Sequence, residues 1–90
     1  MAVRSTFIVK NDRGLHTRPA TELVKLASRY KSHLKLKFRR MEVNAKSLLG
    51  ILMLAATKGS KISIEADGPD ESEAVQALTL LANSNFNAQY

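Results

Sequence analysis

The sequence predicts an α+β open-faced β-sandwich, with three helices on one face of a four-stranded, mainly antiparallel sheet, in the order β-α-β-β-α-β-α. Three observations carry this. Four short segments alternate apolar and polar residues at period two, the signature of strands with one buried face. Segments 19–30 and 70–82 repeat apolar residues at helical spacing, and 47–56 is almost entirely Leu, Met and Ala apart from Ser47 and Gly50. One-sided strands and one-sided helices are both satisfied most economically when the helices layer on one side of the sheet. The 90 residues are expected to form one domain, 1–90, because a split would leave neither half a core.

The elements follow in order. Residues 3–10 read as a strand with Val3, Phe7 and Val9 on one face and Arg4, Thr6 and Lys10 on the other. Asn11-Asp12-Arg13-Gly14 breaks the alternation as a turn. From Pro19 to Tyr30, Ala20, Leu23, Val24, Ala27 and Tyr30 fall on one helical stripe, widened by Leu26. Residues 33–39 place Leu34, Leu36 and Phe38 inward and Lys35, Lys37 and Arg39 outward, and Met41, Val43 and Ala45 continue as a second short strand. The helix at 47–56 is apolar nearly all round, so its two sides cannot both face one core.

Residues 61–67 alternate Ile62, Ile64 and Ala66 against Ser63 and Glu65, and Gly68-Pro69 ends that strand. Asp70 with Glu73 three positions on predicts a capping box, followed by an inward stripe of Ala74, Val75, Leu78, Leu81 and Ala82. The tail 84–90 is expected to fray.

Composition narrows the function. No cysteine is present, so disulfides and thiolate metal ligands are excluded and a reducing cytoplasm is the expected compartment. The start lacks the apolar run of a secretory signal, and no run approaches the roughly 20 residues that span a bilayer, so no membrane insertion is expected. Fourteen Lys and Arg against eight Asp and Glu give a net charge of +6, which draws the domain to something anionic. Lys35, Lys37, Arg39 and Arg40 form the densest basic group, read as a solvated strand face or a partner-binding surface. A nucleic-acid role is not expected, since neither an aromatic stacking platform nor a recognition helix accompanies the charge.

The chemistry centres on His16, at the junction of the first turn and the first helix. A helix N-terminus offers amides and a partial positive charge to an anion, and Pro19 suits the first helical turn. Histidine is a competent nucleophile near neutral pH. Arg18 brings a guanidinium fork suited to phosphate oxygens, and phosphoryl transfer asks a protein for little beyond positioning and charge neutralisation. On spacing alone, a lone His-x-Arg reads as readily as a turn histidine beside a surface cation. Ser47 reads as an N-cap, Leu48, Leu49 and Leu52 as core or an exposed patch, and His33 as an ordinary surface residue.

Gly14-Leu15-His16-Thr17-Arg18-Pro19-Ala20 resembles the active-site signature of the HPr family, the histidine-containing phosphocarriers of the bacterial phosphoenolpyruvate-dependent sugar phosphotransferase system. Val43-Asn44-Ala45-Lys46-Ser47-Leu48-Leu49-Gly50 is similar to the segment bearing that family's regulatory serine, at the expected separation. Lys58-Gly59 and Gly68-Pro69-Asp70-Glu71 extend the likeness over nearly the whole chain. The resemblance implies that His16 takes a phosphoryl group on Nδ1 from phosphorylated enzyme I and gives it to a sugar-specific enzyme IIA. Arg18 would stabilise the group in transit.

The same likeness implies a monomeric covalent relay rather than a self-standing enzyme, with no cofactor and no metal. Thr17 would belong to the partner-binding surface. In family members regulated this way, Ser47 would be phosphorylated from ATP by HPr kinase/phosphorylase, with Leu48, Leu49 and Leu52 docking partners. Arg39-Arg40-Met41 departs from a hairpin turn that commonly contains glycine, and Ala55 stands where glycine is usual. The positive charge also departs from the family's habit. The alternative function is a regulatory adaptor acting through Ser47 and the 48–52 patch without sugar transport.

Overall fold

A computed structural model describes residues 2–84, so the tail expected to fray lies outside the described residues except for Ser84. The elements are β1 (Val3–Ile8), α1 (Thr17–Ala27), β2 (His33–Phe38), β3 (Met41–Asn44), α2 (Leu48–Met53), β4 (Lys61–Asp67) and α3 (Glu71–Asn83). The strands form one sheet in the order β1-β4-β2-β3, and each described pairing is antiparallel.

Period-two alternation sorts the two faces of this sheet. Register sets Phe7 opposite Ile62, and Leu36 between Ile64 and Val43. Phe7, Ile62, Ile64, Ala66, Leu34 and Leu36 are all buried beneath the helices. The α3 stripe of Ala74, Val75, Leu78, Leu81 and Ala82 is buried as a unit, as are Ala20, Leu23 and Ala27 of α1. Truncating one of the large buried aliphatics to Ala would cost about 2–5 kcal/mol through lost transfer energy and the cavity left behind. The other face is polar: Arg4, Glu65, Lys35 and Asn44 lie in one row across the strands, with Arg4 Nε 3.0 Å from a Glu65 carboxylate oxygen.

The structure revises four expectations. Helix α1 starts at Thr17, placing Pro19 third in the helix, and Val24, Leu26 and Tyr30 are only half-buried. Met41 is exposed rather than inward, because it closes the hairpin on the edge strand β3. Helix α2 covers six residues, Leu48–Met53, rather than 47–56, while its two sides part as expected: Ile51 and Leu54 are buried, and Leu49 and Met53 stand out at 69% and 60% exposure.

The fourth revision concerns Asp70, which is the N-cap of α3 but makes no capping hydrogen bond with its side chain. Its carboxylate instead accepts the Lys31 and Ser32 amides at 2.9 Å each and the Ser32 hydroxyl at 2.5 Å. That knot ties the start of α3 to the α1–β2 loop. The Ser32 hydroxyl and the two amides hold the Asp70 carboxyl down at about 2.

Both places where the chain lacks an expected glycine fall at left-handed backbone. Arg39 has φ 58° and Ala55 has φ 51°. A side chain in this region crowds its own backbone and costs about 1 kcal/mol, which is why glycine is favoured there.

Candidate functional site

His16 opens α1 as its N-cap, in extended geometry with φ −92° and ψ −168°. Its carbonyl accepts the Ala20 amide at 3.1 Å, and its own amide donates to the Gly14 carbonyl at 3.0 Å. The ring is half-buried, with Nε2 covered. Thr17 and Arg18 follow on the exposed side of the first turn, whereas Pro19 is buried beneath it. The Thr17 carbonyl accepts the Thr21 hydroxyl at 2.6 Å.

Contacts distant in sequence fix the turn that carries His16. Gly14 has φ 71°, and a Cβ there would lie 2.3 Å from the Ala56 carbonyl oxygen and 2.9 Å from Thr57 Cα. Glycine therefore serves twice, for the backbone angle and for close approach. The Leu15 amide donates to that same Ala56 oxygen at 3.0 Å, and the Leu15 side chain is buried. Lys58 Nζ meets Asp12 Oδ1 at 2.9 Å. The ion pair lowers the Asp12 carboxyl and raises the Lys58 ammonium from their ordinary ranges, although its exposure makes it a weak staple.

Ser47 sits on a different element, as the N-cap of α2, and its Oγ accepts the Gly50 amide at 3.1 Å. A Cβ on Gly50 would come within 3.2 Å of both Ser47 Oγ and Val43 Cβ, so glycine leaves room for the cap against β3. Beside it, Lys46 Nζ donates to the Tyr30 carbonyl just past α1 at 2.7 Å, and α1 and α2 pack together. Of the apolar candidates, Leu48 is 37% and Leu49 69% exposed, while Leu52 is half-buried against the core. The structure thus gathers His16, Thr17 and Arg18 in one turn and Ser47, Leu48, Leu49 and Leu52 on one short helix.

Sequence reasoning missed Met53, which shares the exposed side of α2; the all-round apolar pattern was its only signal. It also passed over Asn11, read only as the first residue of a turn. Asn11 is 1% exposed, and its side-chain amide makes no hydrogen bond among the described residues. No group of three His, Asp or Glu side chains among the described residues could hold a metal ion. No described helix is long and apolar enough to cross a membrane.

Comparison with known proteins matches this arrangement to one family. Residues 3–84 fit the family model described as the PTS HPr component phosphorylation site. The chain is 44% identical over 80 residues to a phosphocarrier protein HPr of Xylella fastidiosa, covering 89% of this chain and 90% of that protein. It is 43% identical over 86 residues to the phosphocarrier protein HPr of Cupriavidus necator, covering 96% of each. The crystal structure of HPr-C-His from Thermoanaerobacter tengcongensis superposes with a TM-score of 0.92 at 38% identity, covering 98% of this chain and 99% of that one. A motif match, near-full-length relatives and a shared four-stranded fold agree, and the chain belongs to the HPr family, the phosphocarriers of the phosphotransferase system.

Proposed function

We propose that His16 is the phosphoryl acceptor of this chain, taking the group from phosphorylated enzyme I and passing it to a sugar-specific enzyme IIA. The observation that carries the reading is the placement of His16 at the N-terminal end of α1, with Arg18 in the same exposed turn. The resemblance to the family assigns the reaction to Nδ1, and the burial of Nε2 accords with that assignment. The Nδ1 lone pair attacks phosphorus while the bond from phosphorus to the donor breaks, and the donor keeps that electron pair. The new anion lies at the positive end of the helix dipole, and the Arg18 fork neutralises the oxygens in transit. Transfer to enzyme IIA runs the same step in the other direction.

Ser47 is the regulatory site in this reading, phosphorylated from ATP by a kinase of the HPr kinase/phosphorylase type. Its position as N-cap supports this, because a phosphate at a helix N-terminus complements the dipole and adds about −1.5 to −2 charges near the docking surface. Leu48, Leu49 and Leu52, with Thr17, form the apolar and polar contacts to partners; exposure of Leu48 and Leu49 supports that role. Residues 1–90 act as one cytoplasmic, monomeric unit.

The test is a relay assay with phosphoenolpyruvate, enzyme I and the host's enzyme IIA. Phosphate should pass through the chain to enzyme IIA, and Arg18→Lys should slow the passage roughly tenfold, a barrier of about 1.4 kcal/mol, with an unchanged melting temperature. Equal rates for Arg18→Lys and parent would remove Arg18 from the mechanism. Labelling of Ser47 by ATP in a chain that takes nothing from enzyme I would favour the adaptor function instead.

A further inference from the structure

We infer that Asn11 is a positioning residue for phosphoryl transfer, its buried side-chain amide serving the His16 turn in the phosphorylated form of the chain rather than in the free one. The inference rests on the phosphocarrier reading and adds a residue to it.

Alternation places the side chain. Phe7, Val9 and Asn11 are buried while Ile8, Lys10 and Asp12 are exposed, so Asn11 continues the core face of β1 past the end of the strand. The Val9 amide donates to the Ser60 carbonyl and the Val9 carbonyl accepts the Gly59 amide, so backbone pairing also runs on past Ile8. An apolar residue suits such a position. Asn11 is instead 1% exposed, and neither polar atom of its side-chain amide has a hydrogen-bond partner among the described residues. A buried amide without partners disfavours the state that contains it, relative to any state that supplies them.

Asn11 is also joined to the site. Its carbonyl accepts the Gly14 amide at 3.0 Å, and the Gly14 carbonyl accepts the His16 amide at 3.0 Å, so backbone hydrogen bonds lead stepwise from Asn11 to His16. The free form of this turn is pinned without the Asn11 side chain, by Leu15 on Ala56 and by Gly14 against residues 56 and 57. Phosphate on His16 brings strong acceptor oxygens to a turn whose amides are bonded to its own carbonyls. An amide drawn to those oxygens leaves its carbonyl, and the Asn11 NH2 group holds two donors for a carbonyl so released. The side chain that weakens the free chain thereby favours the phosphorylated one.

The experiment pairs Asn11→Leu, which keeps the branching of the side chain and removes both polar atoms, with NMR of the parent. Asn11→Leu should melt at or above the parent temperature, since no hydrogen bond is lost and a bare amide is removed. Its phosphorylation by the host's enzyme I should nevertheless show a kcat about tenfold lower at unchanged KM, because the turn and not the docking surface is altered. In the parent, the Asn11 side-chain NH2 signals should move downfield on phosphorylation and their protons exchange more slowly with water. Should Asn11→Leu not fold, the parent spectra decide alone. A folded Asn11→Leu with parent-like kcat, or one that melts below the parent, overturns the role, as do NH2 signals that stay unmoved in fully phosphorylated parent. A parent chain that takes no phosphate from enzyme I overturns the phosphocarrier reading itself, and the role of Asn11 with it.

Discussion

The first turns of α1 and α2 are built on opposite plans. At α2 the N-cap works locally, with Ser47 Oγ on the Gly50 amide three residues ahead. At α1 the N-cap is a histidine whose side chain makes no capping hydrogen bond to the helix. Its turn is held from outside, by the Leu15 amide on Ala56 and by Gly14 packed against residues 56 and 57. Where distant backbone supplies the positioning, the N-cap side chain need not close the first turn of its helix. A capping serine can both close its turn and take phosphate only while phosphate at the cap suits the helix.

The largest break in this comparison is Gly14→Ala. The new methyl would press on the Ala56 carbonyl at a left-handed angle, and should lower stability by about 3 kcal/mol in denaturant unfolding. Residual folded protein should also accept phosphate more slowly, because His16 shifts with the turn. An unaltered unfolding midpoint would show that the clamp does not hold this site.

Ser47 sharpens the other half. Ser47→Ala should cost about 1 kcal/mol of stability and leave labelling of His16 at the parent rate. Asp caps as well as Ser, so Ser47→Asp should keep the melting temperature while weakening enzyme I binding several-fold. A stability loss in both variants alike would reduce the serine to a cap. Ala55→Gly should have the smallest thermodynamic effect, a gain of about 0.5 kcal/mol, since relief at φ 51° is partly offset by the freer unfolded chain.

The third N-cap, Asp70, uses neither plan. Its folded carboxyl stands at about 2 against an ordinary 3.8. The stability it adds is therefore full above about pH 4 and is lost as pH falls through about 2. Melting curves of the parent and Asp70→Asn should separate above pH 4 and converge near pH 2. Curves that stay separate at pH 2 would assign the knot to something other than the ionised carboxylate.

Patterns with a short period were legible in the sequence. The β4 bounds and the α3 stripe follow from alternation and helical spacing alone, and the His16 and Ser47 motifs placed both candidate positions at helix starts, where the structure has them. What was not legible depends on contacts far apart in the chain. The sequence offered Asp70 and Glu73 as a capping box, whereas the carboxylate is committed to Lys31 and Ser32, 39 and 38 positions away. The Leu15–Ala56 bond and the burial of Asn11 are of the same kind. Met41 escaped because alternation gives a residue's side of a strand but not whether that strand is an edge. Arg39 and Ala55 were visible as departures from glycine; only the backbone angles show why glycine belongs there.

The central claim is that His16 carries the phosphate. Incubation with phosphoenolpyruvate and enzyme I, followed by mass mapping under alkaline conditions that preserve a phosphoramidate, addresses it directly. One phosphate should map to His16, disappear on brief acid treatment, and be absent from His16→Ala. Label that persists in His16→Ala, or that maps to His33, would contradict the account.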